Sequence, residues 1–158
     1  MPTVSQLHTA KGRRLPMRSF EQLEVETAKG IVGDRYHGAR HRQVTIQSQA
    51  SLDEASDVFG SLVPAALTRR NITVSDGVVP QAPGSIIRVG PVVLEVVRVA
   101  APCKLLDDTI GDGAQAALRR RGGSVCRVLE GGLVRLGDRV ALDGVDESET
   151  LFGAALGR

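Results

Sequence analysis

The sequence predicts a single domain over residues 1–158, mainly β and barrel-like, with two or three short helices. Short runs rich in Val, Ile and Leu recur along the 158 residues, and 18 glycines punctuate them. Helix signals are few. Strand and helix patterns do not alternate as βα units, so a doubly wound parallel sheet is not expected.

The elements follow in chain order. PTVSQLH suits a first strand. QVTIQ sets Val44 and Ile46 between polar neighbours, the period-2 pattern of a half-buried strand. Ser51 and Glu54 have capping-box spacing, so a helix is expected over ASLDEASDVF, with Gly60 as its stop. NITVSDG reads as a strand ending in a turn, and GSIIRVGPVVLEVVRVA as two strands broken at Gly90-Pro91. DGAQAALRRRGG places an acid first and arginines last, which suits a helix dipole. SVCRVLEGGLVRLGDRVAL reads as three short strands, and residues 143–158 as a peripheral tail.

Composition narrows the function. Apolar residues make up 42% of the chain and aromatics 3%, so the core is aliphatic. Twenty Lys and Arg against 18 Asp and Glu leave a net charge of +2, no commitment to nucleic acid or to a membrane surface. No apolar run approaches a membrane span, and the N-terminus lacks signal-peptide character. Two cysteines make no disulfide framework, which points to a reducing, cytoplasmic setting.

Lysine occurs only at positions 11, 29 and 104, so the positive charge is largely arginine, whose planar fork suits carboxylate and phosphate. In GIVGDRYHGARHRQ, Arg35, His37, Arg40, His41 and Arg42 crowd one loop with flanking glycines, a pattern fit for a phosphate cradle or simply for a solvated basic loop. The spacing of His37 and His41 would suit a metal pair on a helix, but Gly33 and Gly38 argue against a helix there. In TRRNITV, Arg70 precedes Asn71, whose amide can read a heterocycle edge or close a turn. Arginines 119–121 suit the carbonyls of a helix end, whereas Arg127 lies within a strand and would need an anionic partner if it faced inward. Cys126 alternates with core positions and is expected to be buried. Cys103 follows Pro102, past the end of a strand. Lys104 beside it favours a thiolate, whereas Asp107 and Asp108 oppose one, so the residues alone leave a reactive thiol and a buried filler both open.

These segments in this order (GIVGDRYHG, RQVTIQSQASLDE, LTRRNITV, GSIIRVGPVVLEVVRVAAPCKLL and GGSVCRVLEGGLVRLGDRV) resemble the MOSC family, named for the C-terminal domain of molybdenum-cofactor sulfurase. The resemblance spans about residues 28–141 and implies a stand-alone MOSC domain with a β-rich, barrel-like fold. It implies handling of the molybdenum cofactor (molybdopterin), a pterin dithiolene with a phosphate, either held by the domain or passed on. Cys103 falls on the family's characteristic cysteine, a molybdenum ligand or sulfur carrier, and Arg35, Arg70 and Arg127 fall on family positions. His37, Thr45, Ser48 and Asn71 are further candidates for holding the cofactor.

Three functions are therefore expected. In the first, Cys103 ligates molybdenum in a two-electron reduction of an N-oxygenated or similar small molecule, with a separate electron-transfer protein as partner. In the second, Cys103 carries a persulfide received from a cysteine desulfurase and serves metal–sulfur cofactor assembly. In the third, a small basic barrel binds RNA or protein without catalysis, a role that the scarcity of aromatic stacking platforms disfavours.

Overall fold

The computed structural model describes residues 1–143; the tail lies, beyond residue 143, outside the described residues. The strands are β1 Val4–Thr9, β2 Arg18–Phe20, β3 Gln22–Glu26, β4 Gly30–Ile31, β5 Val44–Ser48, β6 Ile72–Val74, β7 Ile86–Val89, β8 Val92–Val99, β9 Ser124–Glu130, β10 Gly132–Arg135 and β11 Val140–Ala141. The helices are α1 Gln49–Phe59, α2 Leu105–Thr109 and α3 Ala114–Ala117. The domain is mainly β. An 8-stranded sheet runs β11-β7-β8-β9-β5-β6-β1-β2, and a 3-stranded sheet runs β10-β3-β4. Every described pairing is antiparallel except β5 with β6, which are joined by the crossover through α1.

The large sheet is an open ladder, so "barrel-like" holds only loosely. A single bridge, Thr3 to Arg139, draws the β11 edge against the chain leading into β1. Around it, Val140 N–H donates to the Pro2 carbonyl at 2.9 Å and Val4 N–H to the Asp138 carbonyl at 2.9 Å. Leu7, Ile31, Ile46, Ile72, Ile87, Leu94 and Val134 pack into one aliphatic core shared by the two sheets. A second cluster, Leu52, Ala55, Leu106 and Leu118 with Phe59 and Ile110, joins the three helices. No helix among the described residues is long and apolar enough to cross a membrane.

Several expectations need correction. Strand β5 is buried along its whole length, because β6 and β9 flank it and α1 packs on it. Its outward polar side chains are satisfied inside the protein: Gln47 Nε2 donates to Thr73 Oγ1 at 2.9 Å, and Thr68 Oγ1 donates to Gln47 Oε1 at 2.9 Å. The cap of α1 is Ser48, three residues earlier than expected; its Oγ accepts from Ser51 N–H at 3.1 Å. Gly60 ends that helix in the left-handed conformation at φ 85°, as its position predicts. The helix expected over DGAQAALRRR lasts only from Ala114 to Ala117, because the chain must turn sharply, through Arg120 at φ 63°, to enter β9. The short strands β2 and β4 and the helix α2 carry too few periodic residues to be read from sequence.

Candidate functional site

Segments distant in sequence meet at one rim of the large sheet. They are the loop after β1, the turn leading to β5, Arg69–Asn71 before β6, the chain leaving β8 and the two glycines entering β9. Between them lies a cleft of about 510 Å³. Seven basic side chains line it, namely Arg13, Arg14, Arg35, Arg42, Arg69, Arg70 and Lys104, against the single carboxylate of Asp108. Tyr36, Thr68, Cys103 and Leu105 complete much of the wall.

The floor is held by Asp34 and Asn71. The buried Asp34 Oδ1 accepts from Ala10 N–H at 3.2 Å, Arg35 Nη1 at 3.1 Å and Asn71 Nδ2 at 3.3 Å, while Oδ2 accepts from Tyr36 N–H at 3.2 Å. Asn71 Nδ2 also donates to the His8 carbonyl at 3.1 Å. Asn71 Oδ1 accepts from Thr45 N–H at 3.0 Å and from Thr45 Oγ1 at 3.1 Å. The amide thus ties β1, β5 and β6 to the turn that carries Arg35.

On that floor Arg35 and Arg70 are fixed by protein groups, and both line the cleft. Arg35 pairs with Asp34 at 3.1 Å and donates from Nη2 to the Arg69 carbonyl at 3.3 Å. Arg70 is 4% exposed, with Nε donating to the Gly122 carbonyl at 2.9 Å and Nη2 to the carbonyls of Ala100 and Ala101 at 3.4 Å each. The guanidinium carbons of Arg35 and Arg42 each lie 4.6 Å from the centre of the Tyr36 ring. Arg42 Nε is buried without a partner. Burial pushes Arg42 and Arg69 below the usual arginine range, and it pushes Arg70 down to about 10, with the Arg42 charge adding to the effect. The cleft is therefore short of negative charge.

Cys103 is exposed, and it borders the cleft with Lys104 and Leu105. Of the two nearby acids, Asp107 is drawn away to accept from Gln115 N–H at 2.8 Å, and Asp108 lines the cleft. Cys126 is fully buried, and burial pushes its thiol up to about 12.

Of the residues singled out from the sequence, Cys103, Arg35 and Arg70 are brought together in the cleft. Thr45, Ser48 and Asn71 are buried behind it and hydrogen-bond to protein groups. His37 is exposed, and its Nε2 lies 3.2 Å from Glu26 Oε1. Arg127 projects from β9 and donates from Nε to Glu95 Oε1 at 2.6 Å, its cross-strand neighbour on β8. The sequence does not single out Arg13, Arg14, Tyr36 and Arg69 as site residues, and it offers Arg42 only as a member of the basic loop. Arg42 and Arg69 sit in visible basic clusters, but nothing local marks the Gly12–Leu15 loop as part of the site.

The chain is thus a mainly β domain that gathers six arginines, one of them buried, and one exposed thiol at a single rim. The family model for the MOSC domain matches residues 33–141, and the chain belongs to the MOSC family. Solved structures agree on the fold. The YuaD protein of Bacillus subtilis superposes with a TM-score of 0.77 at 20% identity, over 89% of this chain and 94% of that one. YiiM of Geobacillus stearothermophilus superposes at 0.68 with 14% identity, over 92% and 76%. YiiM of Escherichia coli superposes at 0.64 with 16% identity, over 100% and 94%. No curated protein matches the sequence.

Proposed function

We propose that the cleft binds the molybdenum cofactor and that Cys103 supplies the protein's thiolate ligand to the metal. The observation that carries this reading is the presence of an exposed thiol in the same 510 Å³ cleft as seven basic side chains. The residues suit the group. The unpartnered Nε of Arg42, and the buried charge of Arg70 whose Nε and Nη2 meet only neutral carbonyls, suit an anion such as a pterin phosphate. Among the described residues no group of three or more His, Cys, Asp or Glu converges as a metal cage. A metal held here would therefore bring most of its own ligands, as a dithiolene-bound one does, and take one soft donor from the protein.

When bound, the cofactor supplies two-electron redox chemistry, directed at a small N-oxygenated molecule. The chain's own residues do the rest. Arg42 and Arg70 hold the anionic end, and Asp34 fixes Arg35 beside them. Tyr36, flanked by two guanidinium groups, offers no free ring for stacking nucleic-acid bases, which disfavours an RNA-binding role.

Protein made in a host that produces the cofactor should carry molybdenum and pterin, and Cys103→Ala should lose the molybdenum while folding normally. Molybdenum in the wild type no higher than in Cys103→Ala would overturn the reading. The exposure of Cys103 also favours a second function, the persulfide carrier. Here the thiolate attacks the outer sulfur of a desulfurase persulfide, the sulfur–sulfur bond breaks, and the desulfurase leaves as its thiolate. Labelled sulfur transferred to wild type but not to Cys103→Ser would support that role, and label retained by Cys103→Ser would remove it.

A further inference from the structure

The cleft holds more positive charge than one anion on Arg42 and Arg70 would answer, and the excess is arranged at its mouth. Arg13 and Arg14 are exposed there, on a loop whose turn is closed by Leu15 N–H donating to the Gly12 carbonyl at 3.2 Å. That loop is not left to itself. Arg69 reaches across from the start of β6 and donates to the carbonyls of Arg13 at 2.7 Å, Leu15 at 2.9 Å and Gly12 at 3.4 Å. To do so it adopts φ 65°, a conformation that few residues other than glycine take up. The fold thus commits a half-buried arginine and an uncommon backbone conformation to hold two more cations against an already basic cleft. Like charges so placed repel unless an anion joins them.

We propose that the mouth of the cleft is a second anion subsite, formed by Arg13 and Arg14 and positioned by Arg69. It takes a phosphate or carboxylate group separate from the one on Arg42 and Arg70. The inference rests on the reading of the inner cleft as an anion site. It adds that the bound ligands together bring two anionic groups, the outer one belonging either to the far end of the cofactor or to the substrate. Arg69 acts through the loop and is a positioning residue.

Calorimetric titration with inorganic phosphate tests both levels. The wild type should bind two equivalents. Arg13→Ala/Arg14→Ala should lose one equivalent and keep the other, and Arg42→Ala should do the reverse. Arg69→Ala should weaken the mouth site by on the order of tenfold, the loss of about one charge-supported contact. It should also speed tryptic cleavage after Arg13 and Arg14, whereas Arg69→Lys should recover part of both effects. A single equivalent in the wild type, unchanged in Arg13→Ala/Arg14→Ala, would overturn the mouth subsite and leave the inner site standing. Binding sensitive to Arg13→Ala/Arg14→Ala but indifferent to Arg42→Ala would instead overturn the inner site. Phosphate analysis of the extracted pterin then assigns the source: two phosphates per pterin place the outer anion on the cofactor, and one places it on the substrate.

Discussion

The two thiols of this chain have opposite surroundings, and their chemistry should divide accordingly. Cys103 is exposed beside basic side chains, whereas Cys126 is fully buried with its thiol pushed up to about 12. Iodoacetamide applied to the native protein at neutral pH should therefore modify Cys103 alone, and Cys126 only after unfolding. Mass mapping that found Cys126 alkylated in the folded protein would contradict the packing of β9 against β5 and β8. His8 makes a second residue-level case. It is 3% exposed, its Nδ1 has no partner, and burial lowers its pKa from the ordinary value near 6.5. In the window between that lowered value and 6.5 the unfolded chain binds the proton and the folded chain does not. Stability contributed by neutral His8 is thus present above pH 6.5 and lost as pH falls below it. The melting temperature of the wild type should drop further between about pH 7.5 and about pH 5.5 than that of His8→Gln. Equal drops would show that His8 takes up its proton without opening the fold.

At the scale of elements, the rim depends on two joints. Asn71 spans β1, β5 and β6, so Asn71→Ala would take the side-chain partner from Thr45 N–H and from the His8 carbonyl and remove one of the three donors to Asp34 Oδ1. A loss of about 3 kcal/mol in denaturant unfolding is expected, in line with several buried hydrogen bonds lost. Gly123 is the other joint. It stands at φ 81°, and a Cβ there would fall on the Ile46 carbonyl. Gly123→Ala should destabilise by at least roughly 3 kcal/mol or prevent folding, because backbone rather than a yielding side chain is in the way. These joints also explain what the sequence could show. The runs of β7 to β9 are legible because hydrophobic pattern and turn residues agree over enough positions. The role of Asn71 is not, since an asparagine before a strand looks the same whether it reads a heterocycle or ties three strands. Cys103, Arg35 and Arg70 stand out as chemistry in clusters. Arg13 and Arg14 join the site only because a distant arginine holds their loop there.

At the scale of the whole molecule, the open question is how nearly the large sheet closes. As a ladder it ends at β2 and β11, and an end strand presents unpaired groups that invite slippage or association. The β11 end is not left bare: Gly137 N–H donates to the Val4 carbonyl at 2.8 Å, and Val140 N–H to the Pro2 carbonyl at 2.9 Å. Ser75 N–H donates to the Thr3 carbonyl at 2.8 Å, and Thr3 N–H to Ser75 Oγ at 3.0 Å, so the same entering segment is also tied to the end of β6. The β2 end has no such cover: Arg18, Ser19 and Phe20 are all exposed, and β1 is their one sheet partner among the described strands. Native-state amide exchange distinguishes a closing sheet from an open one. With closure, the Val4, Gly137 and Val140 amides should exchange far more slowly than those of β2 and approach those of the central strands β5 and β9. If Val140 instead exchanges as fast as β2, the bridge is a loose contact and both ends of the sheet are frayed edges. Closure also bears on the site. The rim stays rigid only if β1, which carries the arginine-bearing loop at its far end, is held at both ends, by the bridge at Thr3 and by the Asp34–Asn71 network. Replacing Thr3 by Pro removes the amide that donates to Ser75. It should speed exchange at Val4 and Val140 and weaken phosphate binding at Arg42. Unchanged binding there would show that the Asp34–Asn71 network holds the rim without the closing bridge.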